Sequence, residues 1–131
     1  MSDPRSVPMF VNGQAMRGGS LNDALASAVF IGATQTAPSY RFLSVRDEFP
    51  ALQIVESGGA SIAGELYEID LADLRERLLP REPAELELGV IKLLDGSSSF
   101  SMRLRDGLAA DFHDITHIAS WRTYLCGLPG S

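Results

Sequence analysis

The chain has 131 residues, of which 45% are hydrophobic and 21% are charged, a composition typical of one globular domain that buries a core. Its basic and acidic side chains give a formal net charge of −6, which argues against nucleic acid or an anionic membrane as a partner. The lone Cys126 excludes an internal disulfide, and the lack of a long apolar run or a basic N-terminal leader indicates a cytoplasmic protein.

The first half of the chain predicts a strand, a helix and three further strands. The apolar run "VPMFV" predicts a strand that ends at the turn-forming segment "NGQAMRGGS". Apolar residues from Leu21 to Val29 then recur at helical spacing, which predicts an amphipathic helix with Ser20 as its N-cap. The segments "SYRFLSV", "LQIV" and "SIAGELYEI" are rich in β-branched and aromatic residues, and Pro50 and a Gly-Gly pair separate them. We therefore expect three strands here.

The second half predicts one more helix and a β-hairpin before the C-terminal segment. Asp70 is expected to cap a helix that has Leu71, Leu74 and Leu78 on one face and ends at a proline. The segment "ELGVIKLLDGSSSFSMRL" has the pattern of strand, Asp-Gly turn and strand. This order of elements predicts an α+β domain with a largely antiparallel or mixed sheet that closes toward a barrel.

The C-terminal segment "DFHDITHIASWRTYL" contains the chain's two histidines, His113 and His117. Two histidines four residues apart can bind a metal ion when both lie on one helix face. Asp114, however, has the position expected of the N-cap of the last helix, which would bury Trp121. Because that helix would begin between the two histidines, we predict that they do not form a metal site.

Motifs of common enzyme families are mostly missing from the sequence. The serines of "DGSSSF" have neither a Gly-x-Ser-x-Gly elbow nor a partnered base, and they are typical of a polar hairpin loop. The segment "NGQAMRGG" lacks the Gly-Lys-Ser/Thr ending of a phosphate-binding loop, although its backbone N–H groups could bind a carboxylate. No cofactor is expected.

Five segments in the same order resemble the C-terminal domain of allophanate hydrolases. They are "MFVNGQAMRGGSLNDAL", "TAPSYRFLSV", "GGASIAGELYEIDLADL", "LELGVIKLLDG" and "DITHIASWRTYL". The resemblance covers nearly the whole chain and implies a single domain over residues 1–131, a γ-glutamylcyclotransferase-like mixed β-barrel with a few packed helices. The long allophanate hydrolases carry a preceding amidase domain with a Ser-Ser-Lys centre. This sequence has none, so we expect a free-standing domain without allophanate amidase activity.

The resemblance also implies a ligand pocket between a glycine-containing loop after the first strand and a catalytic glutamate after the second helix. The matching loop consists of Val11, Asn12, Gly13, Gln14 and Ala15. Active cyclotransferases have Tyr-Gly-Ser or Tyr-Gly-Thr at this place, and the change to Asn-Gly-Gln disfavours γ-glutamyl chemistry. Glu82 is the nearest match to the glutamate, with Glu85 and Glu87 as shifted alternatives.

Further residues are expected to edge this pocket. We expect Tyr40 or Arg41 on one strand and the segment from Glu65 to Tyr67 on another. The guanidinium of Arg41 could hold both oxygens of a carboxylate or carbamate ligand. In the alternative interpretation, Arg41 and Glu65 simply pair across neighbouring strands.

Three functions are compatible with the resemblance. We favour an accessory protein of urea or amide nitrogen metabolism that binds a small carboxylate or carbamate ligand or a separately encoded amidase, and that can associate into homo-oligomers. The second is an enzyme that decarboxylates N-carboxycarbamate, with His113 or His117 as the proton donor. The third is a γ-glutamyl cyclotransferase. Whether the protein is an enzyme stays open at this point.

Overall fold

The computed structural model describes residues 5–107 and 112–128, and in them the strands form two sheets. The strands are β1 (Ser6–Val11), β2 (Val29–Gln35), β3 (Tyr40–Val45), β4 (Phe49–Ile54), β5 (Ala63–Asp70), β6 (Leu86–Lys92), β7 (Ser98–Leu104) and β8 (His113–Asp114). The larger sheet has the order β2-β5-β1-β7-β6 and the smaller one the order β4-β3-β8. The α+β class is therefore confirmed, whereas these sheets do not close into a barrel.

Strand β1 lies at the centre of the five-stranded sheet. It pairs antiparallel with β5 and parallel with β7, so the sheet is mixed. Its apolar residues Met9, Phe10 and Val11 are all buried, as expected for a strand covered on both faces. The loop that follows β1 therefore begins in the middle of the molecule.

The strands predicted in the middle of the chain and the hairpin predicted after them are both present. Strands β3 and β4 form an antiparallel hairpin, and so do β6 and β7. Gly96 has a φ of 89° in the turn between β6 and β7, where the Asp95 carboxylate accepts hydrogen bonds from the backbone N–H and hydroxyl of Ser97. This serine stabilises a turn, in agreement with the hairpin-loop interpretation. Pro50 lies inside β4 instead of preceding it.

The predicted helix after Ser20 is wrong. The structure has only one turn of 3₁₀ helix, Asn22–Leu25, which no side chain caps, and Val29 already begins β2. The residues "VFI" have high β propensity, and the strand that they begin pairs with β5 over most of its length. Pairing with a distant strand outweighs the helical spacing of the local apolar residues.

The helix that Asp70 caps is confirmed at its start, and it is short. Asp70 Oδ1 accepts a hydrogen bond of 2.8 Å from the backbone N–H of Ala72. Helix α1 (Leu71–Asp73) continues into a π-helical turn (Leu74–Leu78) and a 3₁₀ turn (Leu79–Arg81). None of the helices in the described part of the chain is both long and apolar enough to cross a membrane.

The last helix begins later than predicted, so the N-cap assignment to Asp114 is wrong. Helix α2 (Trp121–Cys126) has Ser120 as its N-cap, and the Ser120 hydroxyl accepts a hydrogen bond from the Thr123 backbone N–H. Asp114 lies in β8, where its carboxylate accepts a hydrogen bond from the Thr116 backbone N–H in a turn. Ala119, with a φ of 58°, is in the left-handed conformation, and this change of backbone direction separates the turn from the helix. Trp121 is buried, as predicted.

A buried carboxylate on β5 joins the first loop to the last helix. The Glu65 side chain is 2% exposed and accepts hydrogen bonds from the backbone N–H of Arg17 (2.8 Å), Arg17 Nε (3.1 Å), Arg122 Nη2 (3.2 Å) and the Tyr67 hydroxyl (3.2 Å). Burial acts to raise the pKa of Glu65, but the Arg17 hydrogen bonds and the Arg122 charge together hold it below its ordinary value.

Replacing this carboxylate should weaken the fold. We expect Glu65→Gln to lower the free energy of unfolding by roughly 2 kcal/mol at neutral pH, because charge-assisted hydrogen bonds are lost from two arginines that stay partly solvated. The pKa of Glu65 in the folded state lies below its ordinary value of 4.5. The full difference in stability between wild type and variant should therefore be present above pH 4.5, and it should shrink as the pH falls through the folded-state pKa. Urea denaturation at several pH values measures it. Glu76→Gln, which breaks an exposed ion pair with Arg75, is the control and should change little; an equal loss in both variants would contradict this role.

Candidate functional site

A cavity of about 440 Å³ opens around the end of β1 and the loop that follows it. This volume falls in the range of small-molecule binding sites. Its lining residues come from β1, the loop, the β3–β4 hairpin, the segment before β6, and β7. They are Met9, Phe10, Val11, Asn12, Gly13, Gln14, Ala15, Ser20, Leu21, Arg46, Glu48, Phe49, Pro50, Arg81, Glu82, Pro83, Glu85, Leu86, Ser101 and Met102.

The loop Val11–Ala15 is held tightly against the β3–β4 hairpin. A Cβ atom on Gly13 would lie 2.5 Å from Pro50 Cδ, so a larger residue would push the two apart. Gln14 Nε2 donates a hydrogen bond of 2.8 Å to the backbone oxygen of Glu48. Within residues 5–107 and 112–128, no hydrogen bond uses the backbone N–H groups of Gly13, Gln14 or Ala15. The loop thus keeps donors beside the cavity.

Asn12 contributes a second kind of unused donor. Its Nδ2 atom is buried and has no hydrogen-bond partner in the described part of the chain. A buried donor without a partner costs free energy, and native proteins rarely leave one unsatisfied. Because Asn12 lines the cavity, its amide lies close to any acceptor that a ligand would bring there.

Two arginines tie the rim of the cavity together. Arg81 Nη1 lies 2.6 Å from Asp23 Oδ2. This ion pair joins the 3₁₀ turn at Leu79–Arg81 to the 3₁₀ turn at Asn22–Leu25. Arg46 donates hydrogen bonds to Glu48 (3.2 Å) and to Glu85 (2.8 Å), which joins the β3–β4 hairpin to the segment before β6. Each guanidinium keeps further N–H groups for a ligand.

Glu82 has the electrostatic environment of a proton-transfer group. It follows the 3₁₀ turn in an extended conformation, lines the cavity, and is partly buried. Burial raises the pKa of Glu82 to about 7. At neutral pH such a carboxyl group can donate or accept a proton. Glu85 is bound to Arg46, which lowers its pKa, and Glu87 is paired with Arg103 and lies outside the cavity.

Several predicted residues do not meet at this cavity. Arg41 points outward from β3, and its Nε lies 3.4 Å from Asp114 Oδ2. It therefore neither lines the cavity nor pairs with Glu65, because side chains alternate along a strand and its neighbours occupy the buried face. Tyr40 is buried, and its hydroxyl accepts a hydrogen bond from the Lys92 backbone N–H. Glu65 and Tyr67 support the loop from β5 without lining the cavity.

The two histidines also lie elsewhere. His113 is in β8 and His117 is in the turn after it, and both are exposed. Neither lines the cavity. In the described residues, no group of three or more histidine, cysteine, aspartate or glutamate side chains could hold a metal ion. The sequence did not identify Arg46 and Arg81 as site residues, although Arg81 directly precedes the predicted glutamate.

The mixed sheet, the glycine loop after its central strand and the glutamate after the helical segment define a γ-glutamylcyclotransferase-like α+β domain. An AIG2-like protein from Mus musculus has this fold with a TM-score of 0.59 and 18% identity, over 82% of this chain and 81% of that chain. The chain belongs to the allophanate hydrolase C-terminal domain family, whose model matches residues 7–126. The fold and the family expected from the sequence are confirmed.

Two further solved structures are similar over nearly the whole chain. A protein specific to uropathogenic E. coli is 33% identical, with a TM-score of 0.87 over 98% of this chain and 99% of that chain. The allophanate hydrolase of Kluyveromyces lactis is 22% identical, with a TM-score of 0.81 over 92% of this chain and only 21% of that chain. The chain thus spans about a fifth of the yeast enzyme. No curated protein sequence matches it.

The raised pKa of Glu82 gives a stability test of its environment. The pKa of Glu82 is about 7 in the folded state and 4.5 in the unfolded state. Between these two pH values the folded protein binds more protons than the unfolded one, so the stability of the fold decreases as the pH rises from 4.5 through 7. Glu82→Gln cannot ionise and should be more stable than the wild type above pH 8, by up to about 3 kcal/mol, with the difference vanishing near pH 4. Urea denaturation from pH 4 to 8.5 measures this.

Glu85→Gln is the matched control for that measurement. Glu85 lies on the same rim, but Arg46 holds its pKa below the ordinary value. This variant should show no gain in stability at high pH. A pH-independent difference between Glu82→Gln and the wild type would contradict the assignment of a desolvated carboxyl group.

Proposed function

We propose that the protein binds a small molecule with a carboxylate or carbamate group in this cavity and that Glu82 exchanges a proton with it. The observation that carries the proposal is a carboxyl group with a pKa of about 7 beside a loop of unused hydrogen-bond donors. The similar structures from Kluyveromyces lactis include an allophanate hydrolase and a urea amidolyase. Their names support a ligand from urea or amide nitrogen metabolism.

The donors around the loop suit a planar anion. Asn12 Nδ2 and the backbone N–H groups of Gly13 to Ala15 offer several donors within one short segment. Adjacent backbone N–H groups in a loop form concave sites for anions. Arg46 and Arg81 supply positive charge at the rim, although each is already paired with a carboxylate, so the loop carries most of the binding.

The protonation state of Glu82 controls the affinity for such a ligand. Above pH 7 its carboxylate repels an anion in the same cavity, whereas the protonated group donates a hydrogen bond to it. Affinity for a carboxylate should therefore rise as the pH falls through 7. A ligand that brings its own proton to the site would instead deliver it to the ionised Glu82.

The same group supports an enzyme as the second candidate. In the decarboxylation of N-carboxycarbamate, the bond between nitrogen and the departing carboxyl carbon breaks, carbon dioxide leaves, and the nitrogen takes a proton to give carbamate. Glu82 is the donor that the cavity offers for this step, in place of the histidines. Cyclisation of a γ-glutamyl compound would use ionised Glu82 as a base, but the Asn-Gly-Gln loop disfavours it. For the binding function and for the decarboxylase, a separately encoded amidase is the partner that would supply a carbamate-type ligand.

Binding can be tested through the unpaired amide of Asn12. In Asn12→Leu we expect affinity for acetate, malonate or oxamate to fall about tenfold or more, since one buried hydrogen bond to a charged group is lost. The stability of the protein without ligand should be unchanged or higher, because a buried unpaired donor is removed. Calorimetric titration and urea denaturation measure the two quantities.

Gln53 provides the matched control for Asn12. Its Oε1 is likewise buried without a partner in the described residues, but Gln53 does not line the cavity. Gln53→Met should leave affinity for the carboxylates unchanged. Equal affinities of Asn12→Leu and the wild type would remove the ligand role of this loop.

Activity can be tested by following carbon dioxide and 5-oxoproline. The protein is incubated with allophanate plus an isolated amidase, and separately with γ-glutamyl dipeptides. For a decarboxylase, carbon dioxide release in the coupled assay should be at least 100-fold slower with Glu82→Gln, as is usual when a general acid is lost. The double variant His113→Gln/His117→Gln should retain full activity. Release of 5-oxoproline that requires Glu82 would instead establish a cyclotransferase. If neither assay gave a product, the protein would be a binding protein without either activity.

A further inference from the structure

A second cleft, of about 300 Å³, lies on the other side of the first loop. It shares no lining residue with the cavity at Glu82. Its walls come from the loop after β1, from β2, from the start of β5 and from α2. They consist of Met16, Arg17, Ala33, Thr34, Gln35, Ala63, Gly64, Glu65, Ser120 and Arg122.

Two arginines from opposite ends of the chain converge in this cleft. Arg17 Nε and Arg122 Nη2 both bind Oε2 of the buried Glu65, at 3.1 and 3.2 Å. Arg122 also donates a hydrogen bond to the backbone oxygen of Arg17. The Arg17 guanidinium also lies 4.1 Å from the ring centroid of Phe30, in a cation–π contact. Both guanidinium groups are therefore held in place before any ligand arrives.

The charges in the cleft do not cancel. Two guanidinium groups face one carboxylate, which leaves one positive charge in a chain whose formal net charge is −6. The arginine side chains are 59% and 51% exposed, whereas Glu65 is 2% exposed. In the described part of the chain, the terminal nitrogens of Arg17 and the Nε and Nη1 atoms of Arg122 make no hydrogen bond. These N–H groups are open to the solvent side of the cleft.

The β2–β5 pairing leaves room beside these donors. Ala33 is the register partner of Glu65, so its side chain lies on the same face of the sheet. A methyl group at this position leaves the space in front of the arginines free. Gln35, two residues further along β2 and so on the same face as Ala33, adds a polar amide to the wall.

We propose that this cleft is a second binding site, specific for a small carboxylate and independent of the cavity at Glu82. One carboxylate group bridges the free N–H groups of Arg17 and Arg122 and neutralises the charge that Glu65 leaves uncompensated. Planar guanidinium groups bind both oxygens of a carboxylate at once. A cleft of about 300 Å³ suits small ligands such as acetate or malonate.

The experiment locates both sites by NMR, with acetate and malonate as probes at constant low ionic strength. In the wild type, backbone amide signals of Thr34, Gln35 and Gly64 should shift on titration. Arg122→Gln should weaken this response about tenfold or more, the loss expected for a charge-assisted hydrogen bond. Ala33→Phe, which fills the cleft and leaves both arginines in place, should abolish it. Arg75→Gln removes an exposed arginine elsewhere and should leave the response unchanged.

The two sites are distinguished by their variants. Asn12→Leu should affect only the signals of the loop at residues 12–15, and Ala33→Phe only those around Thr34. The proposal is overturned if Ala33→Phe binds acetate and malonate as the wild type does, if sodium chloride alone produces the same shifts, or if Arg75→Gln weakens binding as much as Arg122→Gln. Arg122→Lys keeps the positive charge but loses the planar set of guanidinium N–H donors. This variant should bind acetate and malonate more weakly than the wild type and unfold at a similar urea concentration.

Discussion

The geometry of both cavities depends on the buried carboxylate of Glu65. A carboxylate removed from water is stable only where hydrogen-bond donors replace its hydration, and here the donors come from Arg17, Arg122 and Tyr67. Arg17 follows the loop that lines the first cavity, and Arg122 belongs to the last helix. One side chain on the central sheet therefore fixes the loop on one side and forms the floor of the second cleft on the other.

Glu65 and Glu82 show how environment divides one residue type between two tasks. Glu65 is the more deeply buried, yet bound donors keep its pKa low and its charge permanent. Glu82 has lost water without gaining such donors, so its pKa lies near neutrality. The first is therefore suited to holding the structure, and the second to moving a proton.

The sequence predicted most strands because alternation and turn residues act locally, as in the hairpin around Asp95 and Gly96. It did not predict the end of the helical pattern at Val29, because β2 is held by pairing with distant residues of β5, where Val29 is the register partner of Glu68. The loop and Glu82 came from the family resemblance. Arg46 and Arg81 carry no local signal, since only the tertiary fold brings both of them to the rim of the same cavity.

The position of β1 has a consequence for how the chain reaches its native state. The Ser101 hydroxyl donates a hydrogen bond to the backbone oxygen of Phe10, a partner 91 residues away, and β1 joins β5 and β7 in the same sheet. The strand β1 is thus made before both of its neighbours, and β7 is made last of the three. Until β7 leaves the ribosome, "PMFV" has at least one open edge, so the nascent chain is exposed to aggregation over the whole interval between β1 and β7.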